Sequence, residues 1–100
     1  MSGAKEALNS VVWTARALAN IQAIRDYIAQ FNFAAANRLA ERLIAAGNRL
    51  EMFPHRGRPV PGTTMREIVA VNPYIIRYRV IRNEVVILRV RHAARRPTSP

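Results

Sequence analysis

Cysteine is absent from this 100-residue chain, which excludes disulfide bonds and metal sites built on thiolates. Long hydrophobic runs are missing too: half of the residues are hydrophobic, yet no stretch approaches the roughly 18 apolar residues of a membrane span. Residues 1–10 lack the basic start and apolar core of a secretion signal. We therefore expect one cytoplasmic domain over residues 1–100, with an ordered core at about 11–96.

Acidic residues are scarce. Six Asp and Glu stand against sixteen Lys and Arg, of which fifteen are Arg, and the formal net charge is +10. The excess is uneven, because residues 54–100 hold ten basic and two acidic side chains, whereas residues 1–53 hold six and four. Arginine pairs with phosphate and carboxylate through a planar fork of donors. The composition therefore predicts a polyanionic partner: nucleic acid, an acidic protein segment, or both.

The first half of the chain has the pattern of two helices. After Thr14, whose hydroxyl suits a helix N-cap, apolar residues recur every three or four positions over residues 15–30, at Leu18, Ile21, Ile24 and Ile28. A second stripe runs from Leu39 to Phe53 and ends before Pro54, with Asn32 as its predicted cap. The short link between the stripes predicts an antiparallel helical hairpin.

The strand pattern begins with the β-branched and aromatic residues 11–13 and resumes after a loop rich in Pro and Gly at residues 55–63. Three further strands are predicted at Met65–Val71, Tyr74–Ile81 and Val85–Arg91. The fold class is therefore α+β: an N-terminal strand, placed at an edge, and an antiparallel helical hairpin packed on one face of a small antiparallel β-sheet.

Alternation in the last two strands is the most informative local pattern. Tyr74, Ile76, Tyr78 and Val80 occupy even positions, and we assign Val86, Leu88 and Val90 to the same core face. A three-residue loop at 82–84 would place Arg77 opposite Arg89 and Arg79 opposite Ile87. A register shifted by two residues would instead place Arg79 opposite Arg89 and Arg77 opposite Arg91. Either register gathers these four arginines on one face.

These arginines have no acidic neighbours in the predicted hairpin, and like charges directly opposite each other cost stability unless the face meets an anion. A solvated face whose arginine stems cover apolar surface is the alternative. Arginines upstream and downstream extend the predicted patch. The anion-binding or target-binding candidates are Arg58, Arg66, Arg77, Arg79, Arg89, Arg91 and Arg95.

The sequence contains no phosphate loop, zinc-ligand spacing, Ser–His–Asp arrangement or nucleotide-binding glycine motif, and we expect no metal and no cofactor. His92 ends the last strand among arginines, where it can act as a general acid or base on a phosphodiester or simply satisfy backbone groups. Glu67 can orient a base or form an ion pair with Arg66, and we expect the ion pair.

Taken together, the motifs resemble those of the RelE/ParE superfamily of toxins over roughly residues 11–96. The resemblance rests on four segments in order, namely residues 52–58 (MFPHRGR), 65–68 (MREI), 74–80 (YIIRYRV) and 86–95 (VILRVRHAAR). It implies a growth-inhibiting toxin of a type II toxin–antitoxin system. Its implied partner is a cognate antitoxin, whose acidic segment would wrap the toxin.

Two activities occur in this superfamily: RelE-like members cut messenger RNA on the ribosome, and ParE-like members poison DNA gyrase. Matched to the YoeB-type ribonucleases, the chain has Val60 where those enzymes have Glu and Ile75 where they have Arg. Only His92 is retained. The resemblance thus favours ParE-like action on gyrase, with a ribosome-dependent ribonuclease using His92 and Arg79 as the alternative. A noncatalytic nucleic-acid-binding module is a third hypothesis, supported by basic charge alone.

Overall fold

Residues 9–94 are described by the computed structural model, and their elements follow the predicted order. Helix α1 spans Ala15–Ala29 and helix α2 spans Phe33–Asn48. Both begin after the predicted caps, because side-chain oxygens of Thr14 and Asn32 accept backbone N–H groups of the first turn. Capping of this kind satisfies donors that a helix cannot satisfy itself.

The two helices form the predicted hairpin, joined across it by a hydrogen bond of 2.8 Å from Arg25 Nε to Asn37 Oδ1. Two details of the prediction are wrong. Leu18 is 49% exposed, and Ala17 is the buried residue of the first turn instead. Helix α2 ends before the predicted Phe53, because a short 3₁₀ turn at Arg49–Glu51 tightens the chain.

The strands are β1 Ser10–Trp13, β2 Arg58–Pro59, β3 Met65–Val71, β4 Tyr74–Ile81 and β5 Glu84–His92. They form one sheet in the order β1-β5-β4-β3-β2. The first strand lies at the edge, as predicted, but it runs parallel to β5, so the sheet is mixed rather than wholly antiparallel. Two helices separate β1 from the rest of the sheet, and such a long connection permits parallel pairing. A two-residue strand, β2, lies inside the predicted loop.

The core lies between the helical hairpin and one face of the sheet. Helix α1 packs on β5 and helix α2 packs on β3. Tyr78, Leu43 and Ile76 are among the fully buried side chains, and Tyr74 and Val80 pack against this cluster. The predicted core face of β4 is thereby confirmed. Among residues 9–94, no helix lies over the opposite face of the sheet.

An irregularity at Leu88 changes the phase of β5. Arg77 lies opposite Arg89, as predicted, but the next pair is Tyr78 with Ile87. Leu88 is therefore an extra residue on its strand, a β-bulge. The predicted core positions Val86 and Leu88 are wrong, because the buried side chains of β5 are those of Val85, Ile87 and Val90.

The bulge also alters the end of the hairpin. Ile81 pairs with Glu84, so the turn has two residues, Arg82 and Asn83, rather than three. Arg79 consequently lies opposite Val86 rather than Ile87. A bulge shifts the alternation of the strand by one residue. Odd-numbered residues of the apolar run 85–88 therefore face the core before the bulge, and the even-numbered Val90 faces it after the bulge.

Candidate anion-binding face

Arginines from β2, β4 and β5 lie on the face of the sheet that neither α1 nor α2 covers. Side chains that lie opposite each other across a ladder share a face, so the register places these residues together. Arg77 and Arg89 are a directly opposed pair. We call this surface the arginine face; its members are Arg58, Arg77, Arg79, Arg89 and Arg91.

One carboxylate lies within this face. Arg77 donates to Glu67 Oε2 through Nε at 2.8 Å, and its Nη2 lies 2.6 Å from the same oxygen. Arg91 Nη2 lies 3.6 Å from that oxygen too. The expectation of a cluster without acidic neighbours is therefore wrong. So is the predicted pairing of Glu67 with Arg66, because successive residues on a strand point to opposite faces.

Arg79 lies on the arginine face opposite Met65 and Val86. Its Nε atom is buried and has no hydrogen-bond partner among the described residues. Buried polar atoms in folded proteins are nearly always paired, so this nitrogen is an exception within the arginine face.

Arg66 lies on the other face of β3, opposite Tyr78, and is not part of the arginine face. Its Nη1 donates to the carbonyl of Gly57 at 2.7 Å, and the Gly57 N–H donates to the buried Tyr78 hydroxyl at 2.8 Å. Burial raises the pKa of Tyr78. These contacts hold the loop before β2 against the sheet and so position the exposed Arg58 at its edge. The remaining candidate, Arg95, lies outside the described residues.

His92 ends β5 on the core face, opposite Tyr74, as its phase predicted. Its ring meets the Tyr74 ring edge to face, with centroids 5.2 Å apart, and its Nδ1 accepts the Ala94 N–H at 3.1 Å. The ring also lines a depression of about 550 Å³ together with Tyr74 and Arg91. His92 therefore satisfies a backbone group, and it lies on the opposite side of the sheet from Arg77 and Arg89.

The helical hairpin also exposes aromatic residues at its tip, which the sequence analysis did not single out. Phe31 is 74% exposed and Phe33 is 62% exposed. The Tyr27 ring packs edge to face on Phe31, and the Arg25 guanidinium lies 5.6 Å from the Phe33 ring centroid. In the sequence the two rings flank the cap Asn32, at the turn between the helices.

Over residues 9–94, no group of three or more His, Cys, Asp or Glu side chains is placed to hold a metal ion. In the same range, neither helix is long and apolar enough to cross a membrane. The chemistry available on the arginine face is thus that of guanidinium groups and the carboxylate of Glu67, and His92 lies on the other side of the sheet.

Comparisons with known proteins agree with this architecture. A family model for the ParE toxin of type II toxin–antitoxin systems (parDE) matches residues 11–97. Toxin RelE2 of Caulobacter vibrioides is 55% identical over 85 residues, which cover 85% of this chain and 96% of the relative. Putative toxin Y4kP of Sinorhizobium fredii is 42% identical over 82 residues, covering 81% of this chain and 84% of that protein. A solved chain of the chromosomal ParDE system from P. aeruginosa aligns with a TM-score of 0.78 at 24% identity, covering 85% of this chain and 96% of its own, which confirms the fold.

Proposed function

The chain belongs to the ParE toxin family of type II toxin–antitoxin systems, and from that premise we propose that it inhibits bacterial growth by poisoning DNA gyrase. The membership in the RelE/ParE superfamily predicted from the sequence is confirmed. Membership makes the chain the toxin of its pair and implies a cognate antitoxin. Gyrase as the target, and the cytoplasm as the compartment where it is met, are our proposals.

The observation that carries the choice of gyrase is the separation of the two candidate catalytic residues. His92 lies on the helix side of the sheet, and Arg79 lies on the arginine face opposite Val86. Tyr74, which lies opposite His92, is five residues from Arg79 on β4, which corresponds to roughly 17 Å. General acid–base catalysis needs its groups within about 3 Å of the reacting atoms. One phosphodiester cannot meet both residues, which supports inhibition by binding over inhibition by cleavage.

The cognate antitoxin is proposed to act by charge and apolar contact together. An acidic segment laid over the arginine face would neutralise guanidinium groups that repel each other in the free toxin. Exposed apolar side chains such as Leu18 and Phe31 offer the same segment hydrophobic anchorage on the hairpin. Release of the antitoxin would then uncover the basic surface that the toxin needs.

A gyrase assay tests the proposal. Purified toxin is incubated with gyrase and relaxed plasmid, and supercoiling and protein-linked cleaved DNA are followed on gels. We expect loss of supercoiling with accumulation of cleaved complexes, and no such effect when the toxin is first mixed with its antitoxin. Relaxation of the supercoiled form of this plasmid by topoisomerase I, which should be unaffected by the toxin, controls for nonspecific binding of a basic protein. Unchanged supercoiling and cleavage at toxin in excess over gyrase would refute the proposal.

A ribosome-dependent ribonuclease is the second candidate, favoured by one observation. His92, Arg91 and Tyr74 line the same depression, so a cation and a titratable ring do share one cavity there. The name of the relative RelE2 points in the same direction. This function predicts codon-register cuts in messenger RNA on translating ribosomes, mapped by primer extension. His92→Ala and Arg91→Ala variants that both remain as toxic as the parent would rule it out.

A further inference from the structure

A depression of about 270 Å³ opens beside the arginine face, next to the first turn of α1. Three different elements contribute a guanidinium group to its wall: α1 through Arg16, β4 through Arg77 and β5 through Arg89. Arg16 was not among the residues predicted from the sequence. The lining residues are Thr14, Arg16, Met65, Arg77, Leu88 and Arg89.

The depression is built by the bulge in β5. The Thr14 hydroxyl donates to the carbonyl of Ile87 at 2.8 Å, and the backbone N–H of Thr14 donates to the same carbonyl at 3.1 Å. Beyond the bulge, the Val90 N–H donates to Asn20 Oδ1 at 3.0 Å. Helix α1 is thereby tied to both sides of Leu88. This attachment places Arg16, in the first turn, beside the pair formed by Arg77 and Arg89.

The charges around the depression are only partly compensated. Arg77 is paired with Glu67, but an arginine has five N–H donors and retains some beyond those facing one carboxylate oxygen. Arg16 and Arg89 form no ion pair with any residue between 9 and 94. Arg16 is exposed and Arg89 is half-buried, so the two offer their donors at the mouth and the wall of the depression.

The number of donors favours a phosphate over a carboxylate. On the neighbouring part of the face, one carboxylate oxygen of Glu67 already serves two guanidinium groups, those of Arg77 and Arg91. The depression brings together three guanidinium groups from three directions, which suits the tetrahedral oxygens of a phosphate better than the plane of a carboxylate. Met65 and Leu88 provide apolar surface beside them for a sugar or a base.

We propose that this depression is a phosphate-binding site for a nucleic-acid backbone, with Arg16 and Arg89 as its principal ligands. The assignment stands on the geometry of the depression; it rests on the proposed function only in naming DNA as the nucleic acid. Arg77 is a shared ligand, held in place by Glu67. A toxin that binds DNA directly would add a protein–DNA contact of its own to the complex of gyrase and DNA.

Fluorescence anisotropy with a labelled 12-base-pair duplex tests the site, using toxin released from its antitoxin and no gyrase. Arg16→Ala and Arg89→Ala are each expected to weaken binding about tenfold and to lower the salt dependence by about one phosphate contact. Arg42→Ala, which removes an exposed arginine of α2, is the matched control and should stay within about twofold of the parent. Thermal melts establish that each variant is folded. Arg16 is exposed, so its variant remains informative even if Arg89→Ala does not fold.

Two competitors identify the ligand chemistry. An acidic peptide of equal charge should displace the duplex less well than unlabelled duplex, and adenosine monophosphate should compete weakly. Equal affinities for the parent, Arg16→Ala and Arg42→Ala would overturn the site. Displacement by the acidic peptide at the same concentration as duplex would assign the site to a protein partner, and displacement by the mononucleotide would assign it to a free nucleotide. Because gyrase is absent, neither result bears on whether the toxin inhibits gyrase.

Discussion

The Tyr78 hydroxyl is the point at which the loop before β2 is attached to the core, and Tyr78→Phe removes it with little change of shape. The Gly57 N–H that it accepts at 2.8 Å is buried, so the variant leaves a buried donor without a partner. An unsatisfied buried group costs about 1–3 kcal/mol. In a domain of this size each 1 kcal/mol lowers Tm by about 4–8 °C. We expect Tm to fall by at least about 4 °C.

The assay is thermal and urea unfolding of Tyr78→Phe beside Tyr74→Phe. The hydroxyl of Tyr74 has no hydrogen-bond partner among the described residues, so its variant removes the same atom without breaking a bond and should melt close to the parent. Amide hydrogen exchange locates the effect, because the Gly57 N–H should lose protection in Tyr78→Phe alone. A Tm for Tyr78→Phe equal to that of Tyr74→Phe, with Gly57 still protected, would refute the reasoning.

Three further predictions concern stability. Because burial raises the pKa of Tyr78, the folded state keeps a proton that the unfolded chain loses above about pH 10. The parent protein should therefore lose stability as the pH rises through that raised pKa. Its urea midpoint should fall more steeply with pH than that of Tyr78→Phe. Gly47→Ala would place a methyl group 2.5 Å from the Trp13 ring. The clash should cost about 1–3 kcal/mol, which outweighs the helix propensity gained. An unchanged unfolding midpoint and unchanged Trp fluorescence would contradict this prediction. Asn32→Ala should cost about 1 kcal/mol of cap energy, measured by helical circular dichroism on heating.

The helices and the core face of β4 could be predicted because local chemistry decides them. Thr14 and Asn32 cap the helices through their own side chains. In β4, Ile76, Tyr78 and Val80 alternate with two arginines, so burying the apolar face leaves the arginines on the other. Tertiary contacts do not need to be known for either inference. The same applies to the superfamily resemblance, which rests on the order of short motifs.

The register of β5 could not be predicted in the same way. Residues 85–88 are all apolar, so either set of alternate positions can face the core, and the parity chosen from Val90 backwards was wrong. The uninterrupted apolar run was itself a sign that two phases compete. Contacts from α1 decide between them, since Thr14 and Asn20 bind the backbone on either side of Leu88.

The position of Glu67 shows a different limit. It was assigned to Arg66, its neighbour in sequence, but strand geometry sends the two side chains to opposite faces. The pairing of β3 with β4 places Glu67 directly opposite Arg77. The alternation of side chains along these two strands could therefore have indicated this ion pair. What parity alone does not reveal is the approach of Arg91, which lies one strand further away.

The basic character of this toxin, its helical hairpin and the arginines of β4 were determined by the sequence alone, because charge, capping and alternation act over a few residues. The sites those arginines form were decided only by the tertiary structure. The contacts of Glu67 with Arg77 and Arg91 require the pairing of β3, β4 and β5. The shared depression of Arg16 and Arg89 requires the attachment of α1 to the bulge. Contacts between residues so distant in the chain depend on register and packing, which a local pattern does not specify.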